Sequence, residues 1–279
     1  MMVQRRSEFE LFYDSSYFTT RQLHPVAAVR LSFLGYARWA AEHAAPFPTM
    51  IAEHHAGFAV VGIRLDYGRP FTFLDGTRLQ MSSTSRLLSQ LTLMETVTTI
   101  VSDTTHLATV SLLCRALDVA PGDGMLAAPS RLASSVVGSY RPEEIDQDDK
   151  PVDHVEAILS RLDATVPQLV EGTSQRLIDR QLCEAADQWC FTEVIGLVAS
   201  ARETLIDDRA DEFPVLRTGL SQRLCQVVVK LRRPLFLHDR AAIRTRMYTD
   251  HERRLFVHHI SGASGAVHAI AIETLEPPQ

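Results

Sequence analysis

Only four cysteines occur in the 279 residues, Cys114, Cys183, Cys190 and Cys225, and no two form a CxxC pair. That excludes a zinc ribbon and a thioredoxin-type motif. Apolar neighbours, as in Leu112-Leu113-Cys114, fit reduced core cysteines. No apolar run approaches the roughly 18 residues of a membrane-spanning helix, so no membrane partner is expected. The basic start, Met1-Met2-Val3-Gln4-Arg5-Arg6, leads into no long apolar region, and a soluble, cytoplasmic protein without a signal peptide is expected. Positive charge is also short: 28 Lys and Arg against 34 Asp and Glu leave a net charge of −6. This argues against phosphate neutralisation, so no nucleic-acid partner is expected. Neither a GxGxxG turn nor a Walker loop occurs, and no cofactor is expected beyond a substrate carrier. There is no Gly-x-Ser-x-Gly nucleophile elbow; Gly219-Leu220-Ser221 runs on into Gln-Arg. Glu53-His54-His55 and His258-His259 have no further ligands at useful spacing, and adjacent side chains diverge, so no metal is expected.

What is present is a globular composition, 46% hydrophobic and 22% charged. Residues 9–13 read as a short strand. Ser32 suits the N-cap of a helix over 33–45, an extensively apolar segment that Pro46 and Pro48 end. Strand patterns follow at 58–65, 78–87, 91–101 and 106–117. A polar, turn-rich stretch over 120–151 then marks a boundary, followed by a short helix over 152–162. After it the pattern restarts: a strand over 176–183, a helix over 193–206 capped by Thr192, and strands at 224–231, 242–248, 255–260 and 266–275. Gly262-Ala263-Ser264-Gly265 reads as a hairpin turn.

The two halves also match in residues. Phe33-Leu34-Gly35 meets Val194-Ile195-Gly196 at an offset of 161, which also sets Ala40 on Ala201 and Glu42 on Glu203. Arg69-Pro70 meets Arg233-Pro234 at an offset of 164, which also sets Asp75 on Asp239 and Leu79 on Ile243. Proline breaks the ladder at a strand end and the aspartate favours the next turn. Gly35 and Gly196 read as close helix–sheet packing, since glycine costs a helix about 1 kcal/mol against alanine. An internal duplication follows: one unit over 1–118, a connector over 119–174 and a second unit over 175–279, each α+β with a long helix wrapped by an antiparallel sheet.

A long central helix in an antiparallel sheet, present twice, is similar to the double hotdog arrangement. The second half resembles the thioesterase branch of the hotdog superfamily, through Phe191-Thr192-Glu193-Val194-Ile195-Gly196, Ala201-Arg202-Glu203-Thr204-Leu205 and the Arg233-Pro234…Asp239 strand pair. In the first half, His24-Pro25 followed by Leu31-Ser32 and a Trp-bearing helix is similar to the double hotdog acyltransferase/decarboxylase of leinamycin-type polyketide pathways. The resemblance implies an enzyme acting on an acyl chain carried by CoA or by the phosphopantetheine of an acyl carrier protein. It also implies a polyketide or other secondary-metabolite setting, and a monomer with an internal pseudo-dimer or a homodimer.

In such enzymes the helix N-terminus presents N–H groups to the thioester carbonyl, where unpaired first-turn donors and the macrodipole favour an oxyanion. A carboxylate in the loop before the helix or on the helix itself completes the site. Here the resemblance points to Asp187 or Glu193, with Trp189 and Thr192 beside the substrate. The family's Asp-Gly-His loop is replaced by Cys183-Glu184-Ala185-Ala186-Asp187-Gln188-Trp189. The first half has no acid at its helix start and offers Tyr36 and His24 for catalysis, with Ser32 and Phe33 for substrate binding. Tyr36 and His24 would matter more if the reaction were dehydration or acyl transfer with decarboxylation. A non-catalytic acyl- or partner-binding protein is the remaining alternative.

Overall fold

The structure, a computed structural model, describes residues 4–120, 127–184, 186–250 and 253–277. It divides into two compact units, Met1–Val152 and Asp153–Gln279. The Gly-Asp-Gly part of the expected connector, residues 122–124, lies outside the described residues.

The first unit runs β1 (Ser7–Phe12), α1 (Pro25–His43), α2 (Phe47–His54), β2 (Ala56–Tyr67), β3 (Arg78–Leu88), β4 (Leu93–Ser102) and β5 (Thr105–Val119). Its antiparallel strands lie in the order β1-β3-β4-β5-β2. The helix packs on β1, β3, β4 and β5. Alternation along β3 and β4 supplies the buried face, from Leu79, Met81 and Leu87 to Met94 and Ile100. Three short elements follow, β6 (Ala127–Pro129), α3 (Ser134–Val137) and β7 (Ile145–Asp146), with β6 on β5 and β7 on β3.

A buried ion pair ties the start of the chain to the end of this unit. Glu144 is fully buried and accepts from the Arg5 backbone N–H at 3.1 Å, from Arg5 Nε at 2.9 Å and from the Arg141 N–H at 2.9 Å. Arg5 also donates to the His43 carbonyl at 3.0 Å, and its own carbonyl accepts from Trp39 Nε1 at 3.2 Å.

The second unit runs α4 (His154–Thr165), β8 (Gln168–Leu177), α5 (Glu193–Arg209), β9 (Leu224–Leu231), β10 (Arg240–Asp250), β11 (Arg253–Ser261) and β12 (Val267–Leu275). Its strands lie in the order β8-β10-β11-β12-β9, antiparallel throughout. That is the order of the first unit with each strand replaced by its counterpart. α5 packs on β8 and β10. α4 buries Val155 and Leu162 against Val228, Leu255, Val257, Ile270 and Ile272.

The counterparts match in detail. The β4–β5 ladder shifts register at Ile100/Val101 and the β11–β12 ladder shifts at Ile260/Ser261. Asp75 accepts from the Thr72 N–H at 2.6 Å, and Asp239 from the Phe236 N–H at 2.8 Å, so the Arg-Pro…Asp spacing builds the same turn in both units. The Gly68 N–H donates to the Leu107 carbonyl at 2.8 Å, and the Arg232 N–H to that of His268 at 2.8 Å. A Cβ on Gly35 would lie 2.1 Å from Ser83 Oγ, so this glycine does permit close helix–sheet packing. The 262–265 segment is the expected hairpin turn, with Gly265 at φ +77.

Four expectations need correction. α1 begins at Pro25, not Phe33: His24 is its cap, Pro25 fits the first turn, and Ser32 lies inside the helix. Pro46 and Pro48 end α1 but also start α2. The strand expected over 176–183 is β8, Gln168–Leu177, with a 3-10 turn at Arg180–Leu182. β8 is a polar edge strand in which only Val170 is buried, so its periodicity is faint. Leu79 does not match Ile243: Ile243 pairs with Ile260 as Met81 pairs with Ile100, because the turn after Asp239 is shorter.

Candidate active site

The start of α5 is built by a tight loop. Asp179 accepts from the Gln181 N–H at 2.9 Å, the Cys190 N–H donates to the Leu182 carbonyl at 2.7 Å, and the Trp189 N–H to that of Leu235 at 2.8 Å. Buried Trp189 thus anchors the approach to the helix. Thr192 stands at the N-cap position, yet its hydroxyl does not cap the turn; it donates to Glu193 Oε1 at 3.0 Å and contacts Cys190 Sγ at 3.2 Å. Glu193 is half-buried in the first turn. A positive dipole end and a hydroxyl-oriented carboxylate therefore sit together, the parts needed to polarise a carbonyl and to take a proton from water.

Asp187 is elsewhere. It occupies an exposed turn at φ +54, its carboxylate is paired with Arg180, and its carbonyl accepts from the Leu237 N–H at 2.8 Å.

In the first unit the helix start is closed. Pro25 has no N–H, and His24 Nδ1 accepts from the Val26 N–H at 3.2 Å. Two turns on, Ser32 is 0% exposed and Tyr36 2% exposed, and neither hydroxyl has a hydrogen-bond partner. Phe33 stacks on Phe47 at 5.9 Å; the Tyr36 ring lies 4.8 Å from that of Phe47 and 6.2 Å from that of Phe58. Burial holds the Tyr36 phenol well above its ordinary range, so it is a proton donor and not a base.

The interior of the second unit contains a polar chain. His258 Nδ1 and Thr245 Oγ1 are 3.0 Å apart, His258 Nε2 and Glu273 Oε2 3.2 Å apart, and Arg202 donates to Glu273 Oε1 at 2.6 Å. Glu273 and His258 are both fully buried. Desolvation pushes the Glu273 carboxyl up, but Arg202 and the bond from His258 outweigh it and hold the group below the ordinary range. Hydroxyl, imidazole and carboxylate follow the order of a nucleophile relay. Their burial assigns them instead to joining α5 to the sheet.

No family model matches this sequence, and no curated protein matches it. Solved structures do. An oleoyl thioesterase assignment from Lactobacillus plantarum superposes with a TM-score of 0.71 at 10% identity, covering 99% of this chain and 98% of that one. The 12:0-ACP thioesterase of Umbellularia californica gives 0.66 at 10% identity, covering 98% and 97%. An acyl-ACP thioesterase from Bacteroides thetaiotaomicron gives 0.64 at 8% identity, covering 97% and 98%. The fold is an α+β hotdog fold.

Within this hotdog fold, the structure brings Thr192 and Glu193 into contact, with Trp189 in the loop before them. It groups Ser32, Phe33 and Tyr36 inside the first unit, and leaves His24 as a cap and Asp187 on the surface. The Thr245–His258–Glu273–Arg202 chain was missed by motif reasoning. A signal existed: Glu273 is the one charge in the otherwise apolar run Ala269-Ile270-Ala271-Ile272-Glu273, which a buried strand tolerates only with a paired cation. Among the described residues no group of three or more His, Cys, Asp or Glu side chains gathers as a metal site, and no helix is long and apolar enough to cross a membrane.

Proposed function

We propose that this chain is a tandem, double hotdog acyl-thioester hydrolase whose reaction takes place at the start of α5. The observation that carries this is the difference between the two helix starts. α1 is closed by Pro25 and the His24 cap, whereas α5 has no such side-chain cap and presents Glu193 held by Thr192. The substrate is an acyl group on CoA or on an acyl carrier protein, a reading supported by the acyl-ACP and oleoyl thioesterase neighbours. A polyketide or other secondary-metabolite pathway is the setting suggested by the resemblance of the His24-Pro25 segment. The working species is a monomer containing both units or a homodimer of such chains.

Glu193 takes a proton from water as its oxygen attacks the thioester carbonyl. First-turn N–H groups of α5 stabilise the oxyanion. Collapse of the tetrahedral species releases the carboxylic acid and the carrier thiol, which recovers the proton. Acyl transfer through a Tyr36 phenolate is disfavoured by the burial of that phenol.

Free-thiol release from a panel of acyl-CoA and acyl-carrier substrates tests the proposal. Glu193→Gln is expected to lower kcat by about 10²–10⁴-fold, the usual contribution of a general base. Asp187→Asn should stay within about twofold, as expected of an exposed ion pair away from the helix start. No thiol release from any substrate would overturn it and leave acyl binding without catalysis; full activity in Glu193→Gln would overturn the placement of the reaction at the start of α5.

A further inference from the structure

Among the described residues of the first unit, three buried hydroxyls have no hydrogen-bond partner, Ser32, Tyr36 and Ser102, and the first two share one helix. Ser32 Oγ and Tyr36 Oη lie one helical turn apart on α1, fully buried and without partners. The hydroxyls on the facing strands are committed to one another: Ser83 with Thr98 at 2.8 Å and Ser85 with Thr96 at 3.1 Å. The Tyr140 hydroxyl is taken up by Met94 Sδ at 3.3 Å. Counterpart positions in the second unit are Glu193 and Leu197, so the fold itself asks for no hydroxyl at Tyr36; a buried leucine fills that place. Phe33, Phe47 and Phe58 surround the phenol with apolar surface. Stranding two hydroxyls in such surroundings is costly unless something arrives to pair with them.

We propose that Ser32 and Tyr36 bind an oxygen atom of a ligand whose remaining body is apolar, so that the chain selects oxygen-bearing acyl groups, hydroxy- or oxo-substituted, over plain hydrocarbon ones. The acyl identity of the ligand rests on the thioester reading above; the oxygen-binding pair does not. Tyr36, kept protonated by its burial, donates to a carbonyl or hydroxyl oxygen, and Ser32 either donates to that oxygen or accepts from a hydroxyl. The aromatic rings cover the carbon body on either side of it.

The test uses free acids, so that binding is read without hydrolysis. Decanoic acid is compared with its hydroxy- and oxo-derivatives, substituted at successive carbons, by calorimetric titration of the full chain and its Ser32→Ala and Tyr36→Phe variants. At least one oxygenated acid is expected to bind the wild type about tenfold or more tightly than decanoic acid, the scale of a buried hydrogen bond. Either substitution should bring that ratio to within about twofold by weakening the oxygenated acid. The ligand-free Tm of Tyr36→Phe should be equal to or above that of the wild type. Equal affinity for all the acids would overturn the proposal. So would a Tyr36→Phe variant with a lowered Tm and an unchanged ratio, which would show the hydroxyl satisfied by an internal water. Selective binding without any thiol release would retain this site while removing the hydrolase reading.

Discussion

Glu273 is the residue on which the interior of the second unit turns. It has a full negative charge among apolar neighbours and is matched by Arg202 and His258. Breaking a buried pair by removing one partner strands the other, at a cost of about 3–5 kcal/mol. Glu273→Gln should therefore lower the free energy of unfolding by that order, read as a lower denaturant midpoint. The first unit shows another way to fill the same place: Leu112 pairs with Thr96 as Glu273 pairs with Phe256, and Leu112 is wholly buried. An Arg202→Ala, Glu273→Leu variant, which carries the residues of the first unit, Ala41 and Leu112, at these two positions, should lose far less stability than Glu273→Gln. Equal losses in both variants would show that stranding the Arg202 charge is not what costs Glu273→Gln its stability.

At the scale of elements, the two long helices carry the contrast between fold and function. Gly35 lets α1 approach β3 and β4, and a methyl group there would meet Ser83 Oγ at 2.1 Å, Ser83 Cβ at 3.2 Å and Thr98 Oγ1 at 3.2 Å. Gly35→Ala should destabilise the protein by about 1–3 kcal/mol through overpacking, despite alanine's better helix propensity. Adding Ser83→Ala should recover part of the loss; no recovery in thermal melts would place the clash elsewhere. β3, β4 and β10 could be read from the sequence because buried and solvated residues alternate along them, and β11 and β12 because they are β-rich runs buried on both faces. β8 could not, because an edge strand with one buried side chain leaves little periodicity. The start of α1 was misplaced for a related reason. Apolar Val26, Ala27, Ala28 and Val29 suit a helix or a strand, and a histidine cap is chemically less obvious than the serine that follows.

Across the whole molecule, the pH response follows from the buried groups of both units. Glu144 beside Arg5, and Glu273 beside Arg202 and His258, have carboxyls held below the ordinary glutamate range. Their stabilisation is complete above that range and is lost as the pH falls through the lowered folded values. Tyr36 and Tyr140 are shifted upward by burial, and Cys114 is pushed up to about 12. The unfolded chain loses those protons first, so stability declines as the pH rises from their ordinary ranges towards the raised values. A plot of Tm against pH should show a neutral plateau with a fall on each side, and Glu273→Gln should flatten the acid limb. An unchanged acid limb would mean that other carboxylates govern it. The sequence alone determined the alternation of helix and strands, the restart of that order in a second unit and the Asp75 and Asp239 turns, because periodicity, proline and aspartate act through neighbouring residues. Only the tertiary structure decided that His24 closes one helix start while Thr192 orients Glu193 at the other, that Asp187 faces solvent with Arg180, and that Ser32 and Tyr36 are stranded. Those outcomes depend on burial and on partners distant in the chain, which no local pattern encodes.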